Sequence, residues 1–230
     1  MRKFLVKLLS TILVIAASIN ISLAQDPACY VVSYFEVKST EILPAIALIK
    51  DYAAGSRKET GNQDYKILQS QTRPTQFASL EKWNSKSLQQ AHAKSEATTL
   101  FREAIAEVMV SGYDERIHTP LKVDNCFAEF APDSLYTLTH VDIKPKVKNK
   151  GVALVKKLVR DSRNAEGNTC FDALTQADMT NHMTLVETWN SLDDKLLNSA
   201  RPDIRSVRAD LTKIIGGLYD ERLYVVVDRN

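Results

Sequence analysis

Four histidines, His92, His118, His140 and His182, are the side chains best suited to moving protons near neutral pH. None stands four residues from another or beside a pair of cysteines, so no zinc or iron ligand spacing is present. No glycine-rich phosphate loop follows a strand-like segment, and nucleotide cofactors are not indicated. His92, within Ala91-His92-Ala93 of a helical stretch, is the candidate catalytic base, because an imidazole titrates at about 6.5; the alternative is a helical histidine facing solvent. Trp83 is either the wall of a ligand pocket or a core residue with its indole N–H satisfied locally. Asn62 and Tyr65 follow the turn at Gly61, where Gly-Asn also serves backbone geometry. Tyr34 and Glu36 on the first strand either face a pocket or line a seam between sheets.

The elements that must place these residues occur twice. An offset of 106 residues aligns 30–118 with 136–224 without a gap, and 19 of the 89 aligned positions are identical. Trp83-Asn84-Ser85 falls on Trp189-Asn190-Ser191, and Tyr113-Asp114-Glu115-Arg116 falls on Tyr219-Asp220-Glu221-Arg222. Each copy opens on an alternating, β-rich strand, Tyr30–Lys38 or Tyr136–Lys144. A helix follows, with Ile42, Ile46, Ile49 and Ala53 on one stripe, or Val152, Val155 and Val159 in the second copy. Two strands come next, near 63–72 and 76–84 or 169–178 and 182–190. A broken helical stretch and a last strand, 113–119 or 219–227, complete the order βαββαβ. The fold class is therefore α+β, with two ferredoxin-like modules.

Strand one places Val31, Phe35 and Val37 on one face and Tyr30, Val32, Tyr34 and Glu36 on the other, and neither face is simply polar. One sheet covered by helices on a single side would expose an apolar patch. Packing the two sheets face to face removes it, so the expected architecture is an internal dimeric α+β barrel. Glu81 and Glu187 are expected to pair with an arginine such as Arg116 or Arg222. Arg57 and Arg163 are expected in helix-end or inter-copy salt bridges, and the Tyr-Asp-Glu-Arg runs in ion-pair networks that join the halves.

The chain has 230 residues, 44% of them apolar and 25% charged, which excludes fibrous and disordered classes. Arg2, Lys3 and Lys7 precede a short apolar run that ends at Ser22-Leu23-Ala24. This pattern predicts a secretory signal peptide over 1–24, cut after Ala24, and a periplasmic or secreted product. The residue directly after the cut is Gln25 and not a cysteine, which argues against a lipid anchor, and no stable membrane anchor is expected. Loss of the three cations takes the formal charge from +2 to −1, leaving no electrostatic case for nucleic acid. The expected layout is a first module over 25–121, a linker over 122–133 and a second module over 134–230. In an oxidising compartment one disulfide and one remaining thiol are expected. Cys29–Cys126 is the candidate pair, and Cys170 reads as an apolar filler within a strand.

The strand–helix–Gly-Asn–strand–(Glu-x-Trp-Asn-Ser)–helix plan, with Ala91-His92-Ala93 and Tyr113-Asp114-Glu115-Arg116, resembles the antibiotic-biosynthesis monooxygenase (ABM) domain. Its quinol-monooxygenase branch is the nearest in pattern. The resemblance implies dimeric α+β barrels and oxygenation of quinols or phenolic polyketides by O₂ without metal, flavin or haem. On that footing His92 removes a phenolic proton. Trp83, Asn62, Tyr34 and Tyr65 bind the small aromatic or quinol substrate, Asn62 as a donor to the phenolate. Asn198 stands where the second copy would need the histidine, which makes that copy structural. Two other readings stay open: a non-catalytic barrel binding a small aromatic ligand, and a haem-binding or haem-degrading relative. The last is disfavoured by Arg102 at the position where such a relative carries an axial histidine. A further homo-oligomer of the fused pair is also open.

Overall fold

The computed structural model describes residues 27–121 and 134–227. The expected leader, linker and Cys126 lie outside the described residues.

Module one runs β1 (Cys29–Glu36), α1 (Ile42–Ser56), β2 (Asn62–Ser70), β3 (Gln76–Trp83), α2 (Lys86–Ala93), α3 (Glu96–Ala106) and β4 (Asp114–Pro120). Module two repeats it as β5 (Leu135–Asp142), α4 (Lys148–Arg163), β6 (Asn168–Gln176), β7 (His182–Trp189), α5 (Leu192–Ala200), α6 (Pro202–Thr212) and β8 (Asp220–Val226). Gly61 and Gly167 turn the chain into β2 and β6 at φ +90° and +74°, where a side chain would also run into Leu88 or Asp194. The broken helices are built by caps. Ser85 accepts from the Leu88 amide to start α2, and Ser95 from the Thr98 amide to start α3. Pro202 opens α6 at a position where its missing N–H costs nothing.

The eight strands close into one barrel in the order β1-β3-β2-β8-β5-β7-β6-β4. Each module contributes four antiparallel strands, and β2–β8 and β4–β6 join the modules. Closure leaves no open sheet edge, which is the face-to-face solution that the two apolar sheet faces required. The alternation along β1 decides the sides. Tyr30, Val32 and Tyr34 pack inside the barrel with Leu68, Tyr136 and Tyr224. Phe35 and Val37 pack outward under α1 and α3, with Ile49, Ala53, Phe77, Phe101 and Ile105. The matching core of module two, around Val155, Leu158, Val159, Phe171, Leu185, Ile204 and Leu211, lies under α4 and α6. Ile42 and Ile46, expected on the buried stripe of α1, are only partly buried, and Ala45, Ile49, Ala53 and Ser56 carry that face.

Cys170 corrects the reading of the cysteines. It faces the barrel side of β6 and is disulfide-bonded, not an apolar filler. A bond that includes Cys170 uses up one of the other two cysteines, so Cys29 and Cys126 are not bonded to each other within one chain.

The ion-pair runs also differ from expectation. Asp114–Arg116 and Asp220–Arg222 are pairs along a single strand, at 2.6 Å. Glu115 pairs with Arg102 of α3, and Glu221 with Arg208 of α6 at 3.1 Å. These contacts tie each last strand to its own module. From the runs, the Arg116 guanidinium does cross between modules, donating to His140 Nδ1 at 3.1 Å.

Candidate active site

α2 is a two-turn helix whose buried face consists of Gln89 and His92, one turn apart. His92 therefore points into the module and is only 4% exposed, not toward solvent. Its ring lies 4.5 Å from the Trp83 ring and 5.7 Å from that of Tyr52. Both nitrogens are engaged. Nδ1 is 2.9 Å from Glu59 Oε1, and Nε2 is 2.9 Å from the Tyr52 hydroxyl. With Glu59 accepting from Nδ1–H, the neutral ring keeps Nε2 as an acceptor.

Tyr52 sits one position off the buried stripe of α1, so its ring lies at the edge of the core. It stacks on Phe101 of α3 at 4.0 Å and meets Tyr65 edge-on at 6.0 Å. Its hydroxyl is also 2.8 Å from Thr98 Oγ1, and Thr98 donates to the His92 carbonyl at 2.8 Å. Between α1 and α3 runs a groove of about 370 Å³ lined by Leu48, Tyr52, Gly55, Glu59, Leu100 and Phe101 among others. His92 is not on its lining. The imidazole lies behind Tyr52 and Glu59, which are.

Trp83 ends β3 fully buried, and its indole N–H donates to Glu81 Oε2 at 2.9 Å. Glu81 is thus partnered by this indole rather than by Arg116, which lies on the other sheet face with Asp114. Burial pushes the Glu81 carboxyl up to about 7. The same pair recurs as Trp189–Glu187, at 2.9 Å and with Glu187 also pushed up to about 7 by burial. Because it recurs beside Asn198, the Trp–Glu pair belongs to the fold. Its pH consequence has a definite sign. A carboxyl at about 7 when folded and near 4.5 when unfolded binds more protons in the folded state between those values. Stability from this source is complete below pH 4.5 and declines as pH rises through 7. The Glu81→Gln/Glu187→Gln protein should therefore gain thermal stability relative to the parent between about pH 4.5 and 7. Parallel melting curves across that range check it, and a constant difference would refute the assignment.

The other expected site residues divide by sheet face. Tyr65 joins the His92 side, fully buried, opposite Glu81 in the β2–β3 pairing. Its hydroxyl has no hydrogen-bond partner among the described residues; nor do Ser33 Oγ, Ser79 Oγ or Asn62 Nδ2, all buried atoms. Asn62 pairs with Trp83 across the same strands. Tyr34 lies inside the barrel, 8% exposed, against the His140 ring at 5.1 Å, on the opposite side of the sheet from His92. Arg57 donates to the Tyr65 carbonyl at 3.0 and 2.6 Å, anchoring the end of α1 to β2. Arg102 lies 3.4 Å over the Tyr113 ring and pairs with Glu115.

Tyr52, Glu59 and Thr98 were not singled out in the sequence, although the offset of 106 marks them. Tyr52 aligns with Leu158, Glu59 with Ala165, Thr98 with Ile204 and Tyr65 with Phe171. Four polar or hydroxylated side chains of module one are thus apolar in module two, and Leu158, Ile204 and Phe171 are fully buried there. Asn198 holds the place of His92 and donates to Ser162 Oγ at 3.1 Å.

Residues 29–106 match the family described as antibiotic biosynthesis monooxygenase. No curated protein matches the chain. Among solved structures, a "putative monooxygenase" from Fusobacterium nucleatum is similar at a TM-score of 0.77 and 18% identity, covering 88% of this chain and 93% of the other. A "putative monooxygenase" from Lactobacillus acidophilus gives 0.70 and 12%, covering 87% and 94%. An "anthrone oxidase-like protein" gives 0.70 and 12%, covering 88% and 92%. At these identities the likeness is one of fold, and it spans both modules. The match to the antibiotic biosynthesis monooxygenase family thus falls on module one, and module two repeats the same fold.

Proposed function

We propose that the protein is an exported monooxygenase that oxidises a quinol or related phenolic compound with O₂, without metal or organic cofactor, at the His92 site of module one. The observation that carries this reading is the buried His92 held between Glu59 and Tyr52, the two residues that separate it from an aromatic-lined groove. Deprotonating a phenol creates an electron-rich anion, and an imidazole balanced by a carboxylate is suited to accept that proton. The reaction needs no outside reductant. Hydroquinone and O₂ give hydroxyquinone and water: one oxygen atom enters the ring, the other leaves as water, and the ring supplies all four electrons. The names of the solved structures similar in fold point to the same class of reaction. Export is supported by the leader pattern and by a disulfide at Cys170, since such bonds persist in oxidising compartments.

Oxygen uptake with a panel of hydroquinones, in chelated buffer free of flavin and haem, tests the reading. Uptake above the autoxidation background, with stoichiometric hydroxyquinone, is expected. Saturable binding of the same compounds without uptake would make the protein a binding barrel instead.

A further inference from the structure

We propose that Tyr52 is the residue that meets the substrate hydroxyl, relaying its proton to His92 while Glu59 holds the imidazole. This rests on the phenol-oxidation reading above and assigns that site an additional catalytic residue. Three observations point the same way. Tyr52 and Glu59 line the groove, whereas His92 is 4% exposed and does not. A ligand in the groove therefore meets Tyr52 before any atom of the imidazole. The hydrogen bonds form a continuous chain, Glu59 Oε1 to His92 Nδ1 at 2.9 Å and His92 Nε2 to Tyr52 Oη at 2.9 Å. Finally, the members of the chain are absent together from module two, as Leu158, Ala165 and Asn198.

The proton count is simple. In the resting arrangement Nδ1–H donates to Glu59, and the Tyr52 O–H is shared between two acceptors, Nε2 and Thr98 Oγ1. The substrate O–H then gives its proton to Tyr52 Oη as the Tyr52 proton crosses to Nε2. The products are a substrate phenolate, a neutral tyrosine and an imidazolium paired with Glu59 at Nδ1 and with Glu81 Oε2 3.7 Å from Nε2. No electron moves in this step. Thr98 makes the exchange possible: its own hydrogen is committed to the His92 carbonyl, so its oxygen can only accept. Once Nε2 carries a proton, the Tyr52 O–H can turn to the phenolate or to Thr98. Burial holds the Tyr52 phenol well above its ordinary pKa, which favours a hand-over in which the tyrosine is never left as an anion.

The test uses the full protein and its Tyr52→Phe variant. The first measurement needs no turnover. 4-Nitrophenol, whose phenolate absorbs visible light, is titrated with pH in the presence of saturating protein. The parent should ionise the bound probe at lower pH than free probe, and Tyr52→Phe should return the midpoint toward the free value. An unchanged midpoint in the variant, or no binding to the parent, overturns the proposal. The second measurement uses a hydroquinone that the parent oxidises. Tyr52→Phe should lower kcat by about 10²-fold or more with KM within about threefold, and abolish the acid limb of the pH profile. In mixed H₂O–D₂O the parent's rate should bow with deuterium fraction, as expected for two protons moving together. A variant with a lower rate but an unaltered acid limb, or a linear isotope plot, assigns Tyr52 a structural role only. Absence of oxygen uptake by the parent would end the oxidation reading, while the nitrophenol titration still decides whether Tyr52 meets a phenolic hydroxyl.

Discussion

Replacing His92 by asparagine should lower hydroquinone-dependent oxygen uptake by about 10² to 10⁴-fold, the range of a lost general base, while the protein stays folded. Asparagine is the informative choice because module two already shows that this position accepts it. Asn198 donates to Ser162 Oγ at 3.1 Å and its Oδ1 accepts from Arg201 at 3.2 Å. Ser56, the counterpart of Ser162, is buried beneath Tyr52 and can serve an asparagine at 92 in the same way. Alanine would instead leave a void next to the Trp83 ring. The variant also loses the acceptor for the Tyr52 hydroxyl, but Thr98 Oγ1 at 2.8 Å remains to take that donor. Melting temperature should therefore change little while turnover collapses. The converse substitution, Asn198→Ala, should leave turnover unchanged, since module two carries neither the groove tyrosine nor the glutamate. Uptake by His92→Asn equal to that of the parent would remove the histidine from the chemistry.

The internal repeat made the barrel legible before any coordinates. Two copies of βαββαβ with apolar residues on both faces of their first strands have few ways to bury those faces, and closure is the simplest. His92 stood out because an imidazole titrates near neutral pH and its Ala91-His92-Ala93 setting resembles the ABM pattern, whereas the other histidines fall on strands. Tyr34 shows where the pattern stops informing. Period-two alternation says that Tyr34 and Phe35 face opposite ways, but only the helix packing decides that Phe35 is covered and Tyr34 is enclosed in the barrel. Tyr52 escaped because a single helix pattern treats the residue beside a buried stripe as surface, and Glu59 because it lies in the turn after α1, outside any periodic element. Comparing the copies is the signal that would have found them, since the second copy fills the same volume with Leu158, Phe171 and Ile204. Cys170 escaped for another reason: strand alternation marks it as facing inward, but says nothing about its bonding.

Trp83→Ala and Trp189→Ala should each cost about 3–5 kcal/mol of unfolding free energy, the range for truncating a fully buried aromatic. The two are expected to cost alike, because both indoles are wholly enclosed and both donate to a glutamate two residues earlier at 2.9 Å. Each truncation opens a cavity and leaves a buried carboxyl without its donor, and the second effect adds to the first. Denaturant unfolding measures the loss directly. Activity should then separate what stability does not. Trp83 packs on the His92 ring at 4.5 Å, so Trp83→Ala lets the imidazole leave its alignment with Glu59 and Tyr52. Trp189 has an asparagine in that place. Assayed well below its lowered melting temperature, Trp189→Ala should keep the parent's kcat, whereas Trp83→Ala should lose it along with the stability. Equal loss of kcat in both would mean that the two halves contribute to one site and that module two is more than a scaffold. A loss confined to Trp83→Ala would localise the chemistry to the module that kept the Glu59–His92–Tyr52 chain.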